Sequence, residues 1–334
     1  MTEEEYKESK KIPGYSILSK LSSDVRSVKS ILDGIEKKTK SLDFGSLLDI
    51  RLLTPNDFDN TFYILSNMPS TAFKALADEY IRLKEIYSES GANEDLFDRD
   101  SCILQARENI GFDARLKDAT VIKQFIENCN DYVIELTNDR AKDKILVSTY
   151  DVTLCDTLID MLKTNQFTSK YFNPTENIEV LTQLIIEFKD KEGRDIKCKL
   201  DMVYIDHNNK TITPIDVKTY SESFVANYYK FKYYYQAAIY SSGIIWYMLN
   251  VRPELADYKL NLFEFITINS CGKFPPLIYK IPSNHLETAS FGGMLNNRTI
   301  KGWVELLNDF YWHLQEDRWE YSREVYTNGF KMIE

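Results

Sequence analysis

Asp201, Asp216 and Lys218 have the types and spacing of a site that could do metal chemistry. Asp216 and Lys218 flank Val217, and alternate side chains of an extended strand share one face, so the two stand side by side. A pair of carboxylates collects a hard cation such as Mg²⁺, which prefers oxygen ligands and keeps several of its waters. A lysine two residues from a metal-binding aspartate can polarise a water or balance charge on a phosphate. Such a group suits metal-assisted attack on a phosphodiester. Gln236 and Tyr240 follow, four residues apart, and share a face if that stretch is helical.

Local sequence supplies elements to position these groups. Lys197–Asp206 and Thr211–Thr219 alternate and are rich in β-branched and aromatic residues, which predicts two strands. Asn208-Asn209 between them predicts a tight hairpin, because Asn tolerates positive φ. Ile212 and Pro214 then share the face of Asp216 and Lys218, and Asp201 meets them across the pair. Phe224–Met248 reads as one long helix. Tyr228, Tyr229, Tyr233, Tyr234 and Tyr235 crowd it; most are expected to pack on the sheet, with others free to stack on bases or hold phosphate.

Asp201, Asp216-x-Lys218 and Gln236-x-x-x-Tyr240, in this order, resemble the PD-(D/E)XK nuclease superfamily in its RecB-like branch. The resemblance implies that Asp201 and Asp216 bind metal, Lys218 assists the water, and Gln236 and Tyr240 contact the site or the DNA. It implies Mg²⁺ as the cofactor, with Mn²⁺ as a substitute, and the Val217 carbonyl as a further ligand. For Lys218 to deprotonate the water, its pKa would have to fall through burial or a neighbouring cation.

A second stretch, Gly45, Asp49 and Leu52-Leu53-x-Pro55-x-x-Phe58, resembles the exodeoxyribonuclease VIII (RecE-type) family. There the polar position is usually His and sits beside the metal; here it is Asp49, either a metal-site acid or a residue that merely faces solvent. A carboxylate binds Mg²⁺ at least as well as imidazole, and lambda-type phage exonucleases use a helix-borne acid in this role. Residues 157–162 and the Asp317-Arg-Trp-Glu-Tyr321 tail extend the resemblance to about residues 15–325. It implies an α/β fold, a restriction-endonuclease-like central mixed sheet flanked by helices. It further implies processive 5′ to 3′ digestion of duplex DNA from an end by a ring-shaped homo-oligomer, beside a single-strand annealing protein in a phage or prophage recombination system. The expected setting is the cytoplasm of a bacterial or phage-infected cell.

The rest of the chain bounds these expectations. Fifty-one acids against 41 lysines and arginines give a net charge of −10, which speaks against a broad DNA-coating surface. Local lysines could still touch phosphate: Lys37, Lys38 and Lys40, Lys197 and Lys199, Lys230 and Lys232. The alternative for each cluster is a solvated face. The five cysteines are widely separated and hold no Cys-x-x-Cys pair, which offers little to zinc or iron–sulfur. A polar, acidic start argues against a signal peptide, and no apolar run is long enough for a membrane span. His207, His285 and His313 share no ligand spacing and read as turn, loop and helix-surface residues.

In chain order, helices are expected at Ser16–Lys38, at about 42–53 before Pro55, and at Thr71–Tyr87, Ala119–Asn128 and Thr149–Lys163, with an acidic loop at Gly91–Asp100. Asn177–Phe188 reads as the first sheet strand, with Glu179, Gln183 and Glu187 on one face and Glu179 either a further site acid or a solvent-facing residue. Strands at Leu260–Ile268 and Leu277–Ile281 and a helix at Thr299–Trp319 follow. The expected division is 1–165, mainly helical and contributing Asp49, and 166–334, the nuclease core. Two rivals use the same residues: a structure- or sequence-specific endonuclease, and a nuclease-fold protein that binds DNA or a protein without cutting.

Overall fold

The structure, a computed structural model, describes residues 3–35, 40–65, 67–91, 97–137, 141 and 144–330. Lys37 and Lys38, the Lys40 side chain and the middle of the expected acidic loop lie outside the described residues. The helices are α1 (Glu3–Glu8), α2 (Tyr15–Leu21), α3 (Val25–Leu32), α4 (Lys40–Leu53), α5 (Phe58–Thr61), α6 (Thr71–Glu89), α7 (Arg99–Ile110), α8 (Asp118–Leu136), α9 (Thr149–Thr164) and α10 (Ser169–Phe172). They continue with α11 (Phe224–Lys230), α12 (Tyr233–Asn250), α13 (Ser283–Phe291), α14 (Trp303–Glu316) and α15 (Arg323–Asn328). The strands are β1 (Phe62–Leu65), β2 (Ile145–Ser148), β3 (Ile178–Lys189), β4 (Asp195–Asp206), β5 (Thr211–Tyr220), β6 (Lys259–Leu260), β7 (Glu264–Asn269), β8 (Leu277–Lys280), β9 (Gly293–Leu295) and β10 (Arg298–Ile300). Among the described residues no helix is long and apolar enough to cross a membrane.

Two compact units result: Met1–Thr54 with Thr157–Glu334, and Pro55–Asp156. The dividing lines fall at 54/55 and 156/157 rather than at the 165/166 expected from sequence, so α4 and Asp49 belong to the unit that holds the large sheet.

That sheet is mixed, with strand order β3-β4-β5-β7-β8 and β6 paired to β5. β3, β4 and β5 run antiparallel in succession, β5 and β7 parallel, and β7 and β8 antiparallel. The fold is therefore α/β, a central mixed sheet flanked by helices. One continuous core joins the sheet to α2, α3, α12 and α14, through Leu18, Val28, Leu200, Ile239, Phe265 and Phe310 among others. Burying aliphatic side chains such as Ile239 and Ile244 contributes about 1.5–3 kcal/mol each. α12 approaches the sheet closely because Gly243 lacks a side chain: a Cβ there would lie 2.6 Å from Cys198 Sγ and 3.2 Å from Phe188 Cε1.

Four local departures from the sequence reading have identifiable causes. The stretch read as one helix from Ser16 breaks at Ser22-Ser23-Asp24, where the Asp24 carboxylate caps α3 by accepting from Arg26 N (3.2 Å) and Ser27 Oγ (3.0 Å). The helix read from Phe224 breaks into α11 and α12 at Lys232, which is left-handed (φ 58°). The β4–β5 turn does not use Asn208 or Asn209 in a left-handed form. Asp206 accepts both of their N–H groups instead (3.0 and 2.9 Å), and Lys210 takes the positive φ. The expected final helix begins only at Trp303, because Asn296 and Asn297, both left-handed, close a β9–β10 hairpin before it.

The histidines differ as well. His207 is a turn residue, whereas His285 sits in the first turn of α13. His313 is buried (1 % exposed) rather than on a helix surface, with its ring stacked on Trp319.

The other unit gathers α6, α7 and α8 around Leu76, Tyr80, Ile103, Phe125 and Tyr132, beside a parallel β1–β2 pair. Asp98 caps α7 at its start and a left-handed Gly111 ends it. Ile86 of α6 is half exposed (50 %).

Candidate active site

β4 and β5 bring the first three residues together. Their last paired residues are Met202 and Ile215, and continuing that register sets Asp201 opposite Asp216. Beyond Ile215 the Asp201 carboxylate takes over from the β4 backbone: Oδ2 accepts the Val217 N–H at 2.8 Å. A strand residue's N–H and C=O point to the same edge, so the Val217 carbonyl faces that edge too.

The other neighbour of β4 is distorted at the same level. β3 and β4 pair at Thr182↔Met202 and again at Leu184↔Leu200, skipping Gln183, which is left-handed (φ 53°) opposite Asp201. Core-facing residues of β4 change parity there, from Ile196, Cys198 and Leu200 to Val203 and Ile205. Left-handed backbone in a residue with a side chain costs roughly 1–3 kcal/mol, and the cost is met beside the carboxylates.

Asp216 is 2 % exposed. Its Oδ1 accepts from Gln236 Nε2 at 2.5 Å, and its Oδ2 is in direct contact with Lys218 Nζ. Burial, and then the Asp201 charge, pushes the Asp216 carboxyl up to about 7 against the pull of Lys218. Asp49, on α4, responds to the same charges: burial, then Asp201, raises it well above the usual carboxylate range. Lys199 acts on it in the opposite direction.

Lys218 feels the same two acids. Burial pulls its pKa down, but Asp216 and Asp201 outweigh that and hold it above the ordinary lysine value. In that setting the side chain is an ammonium, able to donate hydrogen bonds. It lies 5.3 Å from the centroid of the Tyr233 ring. Gln236 and Tyr240 are both buried on α12, and burial raises the Tyr240 hydroxyl well above its usual range. Gln236 Oε1 is buried without a hydrogen-bond partner among the described residues.

The remaining candidates lie elsewhere or are engaged. Glu179 pairs with Arg252 through two contacts (3.0 and 3.2 Å) and with His207 (3.2 Å); the Arg252 hydrogen bonds hold it below the usual range. It is a structural acid. Lys197 is buried and donates to Tyr6 O, Ser9 O and Ser9 Oγ. Lys232 donates to Ser19 O, Ser22 Oγ and Ser23 Oγ. Both are structural ties rather than open phosphate contacts. Tyr228, Tyr234 and Tyr235 are core residues. The sequence reading did not single out Tyr233 from the other tyrosines of its helix, and it gave Gln183 no place at the site. The Tyr233–Gln236 spacing of three was the available signal for the first; nothing in the sequence marks the left-handed Gln183.

An oxygen-rich donor set of Asp201, Asp216 and the Val217 carbonyl suits a hard cation, which needs only one or two carboxylates when water fills its other positions. The orphaned Gln236 oxygen and the surplus of carboxylates over Lys218 fit the same group. Asp49 feels Asp201 and Asp216, yet among the described residues no three His, Cys, Asp or Glu side chains converge into a ready metal cage. The fit is thus a two-carboxylate one, with Asp49 alongside.

No family model and no curated protein matches the chain. Among solved structures it is similar to a crystal structure described as a "putative exonuclease" from Eubacterium rectale, at 12 % identity and a TM-score of 0.47, over 100 % of this chain and 94 % of that one. At that TM-score the likeness assigns neither a fold family nor an activity.

Proposed function

We propose that the protein is a metal-dependent nuclease of the PD-(D/E)XK type that hydrolyses phosphodiester bonds of DNA. One observation carries the reading: Asp201 from β4, Asp216 and Lys218 from β5 and Gln236 from α12 meet at a distorted point of the sheet with Asp49 in electrostatic range. Asp201, Asp216 and the Val217 carbonyl would hold Mg²⁺, with Asp49 beside them. When bound, the ion supplies Lewis-acid polarisation and a more acidic water.

The chain's own residues do the rest. The Val217 N–H fixes the orientation of Asp201, and Gln236 fixes that of Asp216. The Lys218 ammonium donates to the attacking water or to a phosphate oxygen, countering charge that grows as the bond breaks. Gln236 Oε1 offers an acceptor to the water, and the buried Tyr240 closes the α12 side of the site.

The finer reading rests on the resemblance to exodeoxyribonuclease VIII and lambda-type exonucleases. It is a 5′ to 3′ double-strand exonuclease of a phage recombination system, homo-oligomeric and paired with an annealing protein. Digestion of linear and closed-circular duplex DNA, with Mg²⁺ and with EDTA, tests it. Loss of linear DNA alone, dependent on metal, is expected; cutting of both forms would make it an endonuclease. A non-cutting DNA-binding scaffold is the second reading. It is favoured by the engagement of both Asp216 oxygens by Gln236 and Lys218, and DNA binding without cleavage of either form would select it.

A further inference from the structure

The ring of Tyr233 lies 5.3 Å from Lys218 Nζ, and the chain around that ring is restrained far more than a helix start requires. Tyr233 is the first residue of α12, directly after the left-handed Lys232. A residue with a side chain holds that conformation only where its surroundings over-determine it. Two sets of contacts from α2 and its C-terminal cap do so. The Tyr15 hydroxyl donates to the Phe231 carbonyl at 2.5 Å, and the Lys232 ammonium donates to Ser19 O (3.0 Å), Ser22 Oγ (2.6 Å) and Ser23 Oγ. The ring itself is packed by Tyr15, Phe224, Phe231 and Phe265, at centroid distances of 6.3, 6.1, 5.8 and 5.7 Å. The Lys218 side chain, by contrast, is still 22 % exposed. Asp216 fixes it on one side, and a flexible four-carbon stem otherwise leaves an ammonium free to swing.

We infer that Tyr233 is a positioning residue whose ring face, locked by the Tyr15–Phe231 and Lys232–α2 ties, holds the Lys218 ammonium at its working position. The inference rests on the nuclease reading for what Lys218 works on, but the packing itself can be tested without activity. An aromatic face attracts an ammonium through its quadrupole, and phenylalanine provides that attraction nearly as well as tyrosine. A leucine provides bulk without it. The interaction therefore separates from simple space-filling by a comparison of Phe with Leu.

The test uses the full chain with ¹³C-labelled lysine ε-carbons, the Lys218 resonance being identified by its absence in Lys218→Ala. Wild type and Tyr233→Phe are expected to show an upfield ring-current shift at the Lys218 ε-protons, and Tyr233→Leu to lose it. On linear duplex DNA, Tyr233→Leu is expected to lower kcat about 10-fold with KM within about 2-fold, and Tyr233→Phe to recover most of that loss. Tyr15→Phe removes one hydroxyl and keeps the ring, so it serves if Tyr233→Leu does not fold. It is expected to move the Lys218 resonance part of the way and lower kcat about 2- to 3-fold. An unshifted Lys218 in wild type, or equal loss of kcat in the Phe and Leu variants, would overturn the positioning role. So would unchanged Lys218 and kcat in Tyr15→Phe. Ring-current shifts as expected in a wild type that cuts no DNA would leave the packing in place and remove the nuclease reading instead.

Discussion

Asp216 and Glu179 are carboxylates of one sheet that meet opposite fates. Glu179 is partly exposed, is in two-point contact with an arginine that also binds Glu254, has a histidine besides, and its pKa falls. Asp216 is almost fully buried, touches Lys218, and is pushed up to about 7 by burial and the Asp201 charge. Solvent reaches the first cluster, where the Glu179 and Glu254 side chains are 30 % and 58 % exposed, whereas at the second the carboxylate is sealed from water and a buried amide oxygen lacks a partner among the described residues. The lesson is one of solvent. An acid that water still reaches is held by its arginine and screened, whereas a carboxylate sealed away with its pKa raised points to a missing ligand.

Substitutions break or sharpen that contrast. Asp216→Ala is expected to lower cleavage of linear duplex DNA at least about 1,000-fold, since it removes a ligand from a site that depends on its metal. Lys218→Ala should lower kcat about 100-fold while leaving Mg²⁺ affinity nearly unchanged, as a donor to water or phosphate would; calorimetry beside turnover separates the two effects. At position 49, His should retain more activity than Ala, with a gap of about 10-fold if the residue supports the metal. Asp49→Asn should also raise the melting temperature in EDTA, because it removes a charge that burial and Asp201 disfavour; a fall would mean that Asp49 is already compensated.

The smallest effect is expected at the other cluster. Glu179→Gln should leave cleavage intact and cost about 1 kcal/mol of stability, allowing for solvent screening of a partly exposed pair. Because the folded-state pKa of Glu179 is lowered, its stabilisation is present above the ordinary value of 4.5 and is lost as pH falls below it. The difference in stability between wild type and Glu179→Gln should therefore shrink in acid, as urea titrations at neutral and acid pH would show.

Much of the site was legible because it depends on strand period and order. Alternation alone set Asp216 beside Lys218, and the expected antiparallel pairing brought Asp201 across to them. Asp49 was legible through resemblance, not through any pattern of its own. Left-handed positions were the hard part. The Asn-Asn pair at 208–209 promised positive φ, but an aspartate two residues earlier offered its carboxylate to both N–H groups and made a different turn. The pair at 296–297 lacks such a competitor and closes the hairpin that was missed. Lys232 and Gln183 are left-handed for tertiary reasons that no local pattern carries, and both lie next to the site. Glu179 failed as a candidate because its partner, Arg252, is 73 residues away in sequence.

Divalent-metal binding, measured by calorimetry on the full chain in wild type, Asp216→Ala and Glu179→Gln, tests the central claim most directly. Mg²⁺ or Mn²⁺ should bind to wild type and to Glu179→Gln with similar affinity and fail to bind to Asp216→Ala. Binding that survives in Asp216→Ala, or a wild type that binds neither ion, would contradict the account.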